Sequence, residues 1–188
     1  MVGEKGEGIA QAVVFVHALP TAAALQSGPR SAAMDQVHRA FVPSLLPVVV
    51  GTEVRFPNYD QIHHHVYSFS EAKNFELPLY KGEDAPPVLF DKVGVVKVGC
   101  NIHDWMSGTI LVLPTPYSAV TDESGRFVLR DLPHGIYPLA AWHELSRVKV
   151  EDTLQQVQVS ESAQVVTFTL PLKPGRSRSP VHGTRGYR

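Results

Sequence analysis

Gly99-Cys100-Asn101-Ile102-His103-Asp104-Trp105-Met106 holds the only cysteine of the 188-residue chain, with a histidine three positions on and a methionine three beyond that. Gly94 to Gly99 reads as a strand that delivers Cys100 at its end, and Gly108 to Leu113 reads as a second strand that closes the loop. Two adjacent strands make a rigid mount for the side chains between them. A soft thiolate, an imidazole and a thioether on one short loop are the donor types of a blue-copper site, which needs one more histidine from elsewhere. Ile62-His63-His64-His65-Val66-Tyr67 offers it.

Composition bounds the alternatives. The chain is 44% hydrophobic with a formal net charge of −1, enough to bury a core in one or two domains. No basic stripe precedes the tail, which argues against a nucleic-acid partner. Fifteen prolines and fourteen glycines punctuate the Val/Thr/Leu/Phe-rich runs, so the expected class is all-β. One cysteine excludes an intrachain disulfide, a four-cysteine zinc site, an iron-sulfur cluster and a two-cysteine copper centre. Met1 to Gly8 lacks the pattern of a secretory signal. The apolar run from Ile9 to Leu25 is interrupted by Gln11, His17 and Pro20, so no membrane span is expected and the chain reads as soluble.

Outward from the loop, the histidine run continues as Val66-Tyr67-Ser68-Phe69-Ser70. Strand alternation puts His64, Val66 and Ser68 on one face and His63, His65, Tyr67 and Phe69 on the other, so the three histidines cannot all serve one metal through a straight strand. His63 and His65 are read as neighbours of the site or surface residues. His17, His38, His134, His143 and His182 stand singly and receive no metal role. Val54 and Phe56 alternate with Glu53 and Arg55 after a Gly51-Thr52 turn, and further strands are expected in 75–80 and 88–91. Residues 8–18 form a β-branched strand, followed by an Ala/Ser/Gly/Pro connector from Pro20 to Ser31 with a short helical turn in its alanines. The arginine-rich tail, 173–188, has no apolar periodicity and is expected to be disordered.

The Cys-x2-His-x2-Met loop and the His-x-Val strand resemble the cupredoxins, with the short loop spacing of amicyanin-like members. Phe56-Pro57-Asn58, His64 to Ser70, Phe75 to Tyr80 and Gly99 to Met106 are together similar to bacterial methylamine-utilisation or plastocyanin-like proteins. The resemblance covers roughly residues 34–116. It implies a Greek-key β-sandwich, one type 1 copper, and one-electron transfer in the periplasm with protein redox partners. Carried over by position, His64, Cys100, His103 and Met106 match the four copper ligands. The position after the first ligand, usually an asparagine that ties the two ligand loops together, is His65 here, and Asn101 could make the tie from the other loop. Thiolate binding requires ionisation of a thiol whose ordinary pKa is about 8.5, so copper should bind more weakly at low pH. Asp104 beside His103 should favour the oxidised metal and lower the potential.

Beyond Tyr117 the pattern changes. Thr121-Asp122-Glu123-Ser124-Gly125-Arg126-Phe127 and Leu132-Pro133-His134-Gly135-Ile136-Tyr137 resemble the turns of carboxypeptidase-regulatory or transthyretin-like β-sandwiches, and strands are expected in 127–129, 136–139, 148–150, 156–159 and 165–170. Gly8 to Val16 looks like the first strand of that same fold. The expected organisation is therefore 1–28 as first strand and connector, 29–116 as cupredoxin, 117–172 as a smaller sandwich completed by 8–18, and 173–188 as tail. On that reading the chain begins just short of a first strand, which suggests a misplaced start and an unseen signal. Two functions follow from the residues: a one-electron carrier, or a copper-storing, delivering or scaffolding module without redox turnover. An enzyme ranks behind both, because four protein ligands leave no metal position open for substrate.

Overall fold

A computed structural model describes residues 1–20, 30–161 and 164–174. Fourteen strands and one 3₁₀ turn, Glu151–Thr153, make up the regular structure of the described residues, which contain no α-helix. The expected helical turn in the connector and most of the tail fall outside the described residues, and Arg30 and Ser31 already belong to a strand.

The part that carries the Cys100–Met106 loop has two facing sheets. One is five-stranded: β5 (Leu45–Val49), β11 (Ser107–Leu113), β10 (Gly94–Cys100), β7 (His64–Ser70) and β8 (Lys73–Tyr80), in that order. The other is three-stranded: β2 (Arg30–Ala33), β6 (Thr52–Arg55) and β9 (Val88–Phe90). Between them lies a core that includes Val54, Phe56, Phe90, Val96, Val98, Ile110 and Val112. The period-2 patterns produce this directly, because each strand turns its apolar set to the same interior. A short hairpin, β3 (Asp35–Val37) and β4 (Ala40–Val42), sits at the end of the sandwich that carries the ligand loops.

A further sheet has the order β12-β1-β13-β14, built from Ser118–Val120, Val13–Val16, Gly135–Trp142 and Gln155–Val159. Strand β1 pairs antiparallel with both β12 and β13, so the N-terminal strand joins strands more than a hundred residues away. Of the strands expected in this part, 127–129 and 148–150 form no ladder, and 165–170 makes only an isolated bridge, Thr169 beside Val2. Phe127, Leu129, Val148, Val166, Phe168 and Leu170 instead lie as extended chain against the sheet's inner core. The reason is general: alternation reports that one face is buried, not that the backbone has a hydrogen-bonded neighbour.

The four-stranded sheet packs on the back of the five-stranded one. Val13, Phe15 and Ala140 meet Leu45, Leu111 and Leu113 in a third apolar cluster. Strand β11 thus sends Ile110 and Val112 into one core and Leu111 and Leu113 into another, which accounts for its uninterrupted apolar sequence.

Candidate metal centre

Strands β10 and β11 are antiparallel from Gly94↔Val112 to Gly99↔Ser107, leaving residues 101–106 as a tight loop at one end of the sandwich. The loop is held by its own backbone. The Met106 N–H donates to the His103 carbonyl at 2.9 Å, and the Cys100 N–H donates to the Met106 carbonyl at 3.2 Å. Ile102, Asp104 and Trp105 point outward while Cys100, His103 and Met106 are buried, so the three-residue spacing places all three donors on the inner side.

Strand β7 pairs with β10 through Cys100↔Val66 and Gly99↔Tyr67. His64, Val66 and Ser68 are fully buried, and Tyr67 and Phe69 face out, as alternation requires. His64 Nδ1 lies 3.6 Å from Cys100 Sγ, and His103 Nδ1 lies 3.8 Å from it. The donor atoms of His64, Cys100 and His103 all fall within 4.8 Å of one another. A metal about 2.3 Å from sulfur and about 2.0–2.1 Å from nitrogen, with bond angles between tetrahedral and trigonal, separates S from N by about 3.6–3.8 Å. Both sulfur–nitrogen separations therefore match those around one ion. Met106, 2% exposed, completes the buried set.

His63 is exposed and away from the cluster. His65 is half-buried on the outer face, with Nε2 2.8 Å from Glu76 Oε1 of the neighbouring strand and its ring against Tyr67. The tie between the ligand loops is made by the main chain: the Asn101 N–H donates to the His65 carbonyl at 3.2 Å, while the Asn101 side chain is exposed. Such a bond is indifferent to the side chain at either position. Asp104 is exposed, and Trp105, 64% exposed, lays its ring 5.2 Å from that of His103.

Asp60, which the sequence reading did not single out, is the nearest charged neighbour of the cluster. Its Oδ2 lies 2.8 Å from His64 Nε2. A carboxylate there holds the proton on Nε2 and leaves the Nδ1 lone pair free to face Cys100, the arrangement that orients metal-binding histidines generally. The same carboxylate accepts from the His38 N–H at 2.7 Å and the Arg39 N–H at 2.8 Å. Burial pushes the Asp60 carboxyl up, but the bonds from His64, Arg39 and His38 outweigh it and hold its pKa below the ordinary value. Asn58 shapes the loop by donating from Nδ2 to the carbonyls of Ile62 and Tyr80 and accepting the Asp60 N–H on Oδ1. That side-chain turn sets Asp60 four residues ahead of His64, the only trace of the contact in the sequence.

His38 and Arg39 form the two-residue loop of the β3–β4 hairpin with φ of 53° and 59°. Both values lie in the left-handed region, which costs a residue with a Cβ roughly 1–2 kcal/mol. Behind His64, across the strand pair from it, Tyr80 is buried; it donates to the Phe56 carbonyl and accepts from Gln36 Nε2. Burial pushes the Tyr80 phenol up to about 12, with the Gln36 bond opposing and the charge of Cys100 adding to the rise. Burial also lowers the His103 pKa, helped by the charges of His64 and Arg39 and opposed by Asp60. A neutral imidazole is the form that binds metal.

No protein-family model matches the chain, and no curated protein does. Solved structures similar to it include a purple cupredoxin from Nitrosopumilus maritimus, 25% identical over 44% of this chain and 98% of that one, with a TM-score of 0.38. An amicyanin variant in its Cu(I) state is 22% identical over 44% of this chain and 81% of that one, TM-score 0.41. A copper-containing nitrite reductase from Thermus scotoductus SA-01 is 26% identical over 50% of this chain but only 24% of that one, TM-score 0.41. The chain is thus an all-β protein with a buried His/Cys/His cluster at one end of a two-sheet sandwich.

Proposed function

We propose that the chain is a type 1 copper protein of the cupredoxin kind that carries one electron at a time. His64 and His103 would supply nitrogen, Cys100 thiolate sulfur and Met106 a thioether. The observation that carries the reading is a cluster of three buried donor residues with both nitrogens at the distance from sulfur that one small ion would impose. Copper bound there would cycle between a state that prefers soft sulfur and one that prefers nitrogen, and this mixed donor set serves both. The chain's own part is to keep the donors in place through change of oxidation state. The loop bonds at Cys100 and Met106, the Asn101–His65 bond and Asp60 behind His64 do so. With four donors committed, no position is left for substrate, so the reading is a carrier, not an enzyme. Redox proteins are its expected partners and the periplasm its expected setting. The strands around β1 and β13 would be a second, transthyretin-like unit packed on the first, with 29–116 as the copper domain and 117–172 plus 8–18 as the second.

Addition of Cu(II) to the metal-free protein is the test. An intense visible thiolate-to-copper band, lost in Cys100→Ser, with a reversible one-electron wave supports the carrier. Tight copper binding without a reversible wave favours storage or delivery, and absence of the band rejects the type 1 site.

A further inference from the structure

Resting on the copper reading, we infer that the strained His38–Arg39 turn is an outer brace of the metal centre, fixing His64 through Asp60. Two residues with side chains occupy consecutive left-handed positions at φ 53° and 59°, where hairpins of this length ordinarily use Asn-Gly. Both residues are exposed, so packing does not force the conformation. What the conformation does provide is a pair of successive amides converging on one carboxylate, His38 N–H on Oδ1 and Arg39 N–H on Oδ2. Consecutive backbone N–H groups arranged this way form a small anion-binding nest. Oδ2 also faces His64 Nε2 at 2.8 Å, so the hairpin reaches the cluster through a single side chain.

The geometry around Asp60 is over-determined for a loop carboxylate. The Asp60 amide is held by Asn58 Oδ1, the Tyr59 amide donates to the Gln36 carbonyl of β3, and the carboxylate carries three donors. A two-residue hairpin loop itself requires positive φ at both positions, and here residues with side chains keep that turn while its two amides converge on the carboxylate behind a candidate metal-binding imidazole. The brace acts through backbone amides, so the residues of the turn matter for their φ and their N–H groups, not for their side chains. Asp60 and the turn are positioning groups, and neither touches the metal.

The test compares four proteins: wild type, His38→Pro, Asp60→Ala and the double variant. Proline fixes φ near −65° and removes the donor at once. In the metal-free protein, the His64 Nε2–H is followed by NMR as a slowly exchanging ring proton. In the loaded protein, Cu(II) affinity is measured by competition and the shape of the thiolate band is recorded. The expectation is loss of the protected ring proton and about tenfold to hundredfold weaker copper binding in His38→Pro, the usual size of an outer-shell effect. In the Asp60→Ala background the proline should add nothing, because the two act in series. His38→Asn combined with Arg39→Gly restores a turn at home in positive φ and should match wild type in both readouts.

A His38→Pro protein that keeps the ring proton and binds copper within twofold of wild type overturns the inference. So does an undiminished proline effect in Asp60→Ala, or an Asn-Gly turn as damaging as proline. Should His38→Pro not fold, one glycine inserted between His38 and Arg39 moves both amides off Asp60 and carries the same expectations. Failure of the wild type to form the blue complex would count against the copper reading, while the metal-free ring proton still decides the brace.

Discussion

Asp104 and Asp60 are both carboxylates beside a histidine of the proposed copper site, yet burial gives them different weight. Asp104 is exposed, so water screens it from a metal bound at His103. At a separation of about 8 Å in water-like surroundings one charge is worth about 0.5 kcal/mol. At about 59 mV per 1.4 kcal/mol this is about 20 mV. Asp104→Asn should therefore raise the reduction potential by about 20 mV in voltammetry, and an unchanged or lower potential contradicts the argument. Burial acts on protonation at His103, where it lowers the pKa, and His143 is lowered by burial as well. Between those lowered values and the ordinary 6.5 the unfolded chain binds more protons than the folded one, so stability rises with pH across that window. Each group contributes at most about 1.4 kcal/mol per pH unit. Urea midpoints of the metal-free protein should accordingly be higher at pH 7 than at pH 5, with a shallower dependence in His103→Gln; a flat or inverted trend in the wild type refutes it.

At the scale of elements, β11 makes the clearest demand on the sequence. Ile110 and Leu111 are adjacent, point to opposite faces and are both buried, one against the metal-bearing core and the other against the β1–β13 sheet. Truncating either should cost about 2–5 kcal/mol in chemical denaturation of the metal-free protein. A strand with one wet face would show that loss only at alternate positions, so a neutral Leu111→Ala would deny the packing of the rear sheet. The run from Gly108 to Leu113 announced a strand, and the spacing Cys100, His103, Met106 announced a loop with three inward donors. Both signals are local, and period alone reads them. Around Phe127 the apolar alternation serves burial without a ladder, and around Phe168 it comes with only a single bridge, Thr169 beside Val2. Asp60 left almost no mark: its partners lie on the β3–β4 turn, His38 and Arg39, and at the start of β7, His64, and only the folded chain brings them to one carboxylate.

Across the whole molecule, three apolar clusters share strands, and that sharing decides how the chain unfolds. Phe15 and Val13 of β1 lie in the cluster with Leu111 and Leu113, while Val14 and Val16 lie in the next one. Every residue of β1 is buried, so the rear sheet cannot be stripped away without exposing the back of the metal-bearing sheet. Lys97 of β10 adds a contact across the junction, reaching Glu144 Oε1 at 2.7 Å and standing 6.0 Å from the centre of the Trp142 ring. The exposed ion pair adds little to stability, but it ties β10 to the turn after β13. Coupling of this kind makes metal binding at one end felt at the other. Free copper at a thousandfold excess over its Kd stabilises the folded state by about 4 kcal/mol. For a chain of this length that raises Tm by roughly 10 °C. The chain has two tryptophans, so in Trp105→Phe the fluorescence reports only on Trp142 of β13. Copper should raise the Trp142 midpoint by that amount over the metal-free protein, and in the loaded protein the Trp142 transition should coincide with loss of the thiolate band. A Trp142 midpoint that copper leaves in place would show that the two parts unfold separately, and that the cluster at Phe15 and Leu111 is a contact surface and not a shared core.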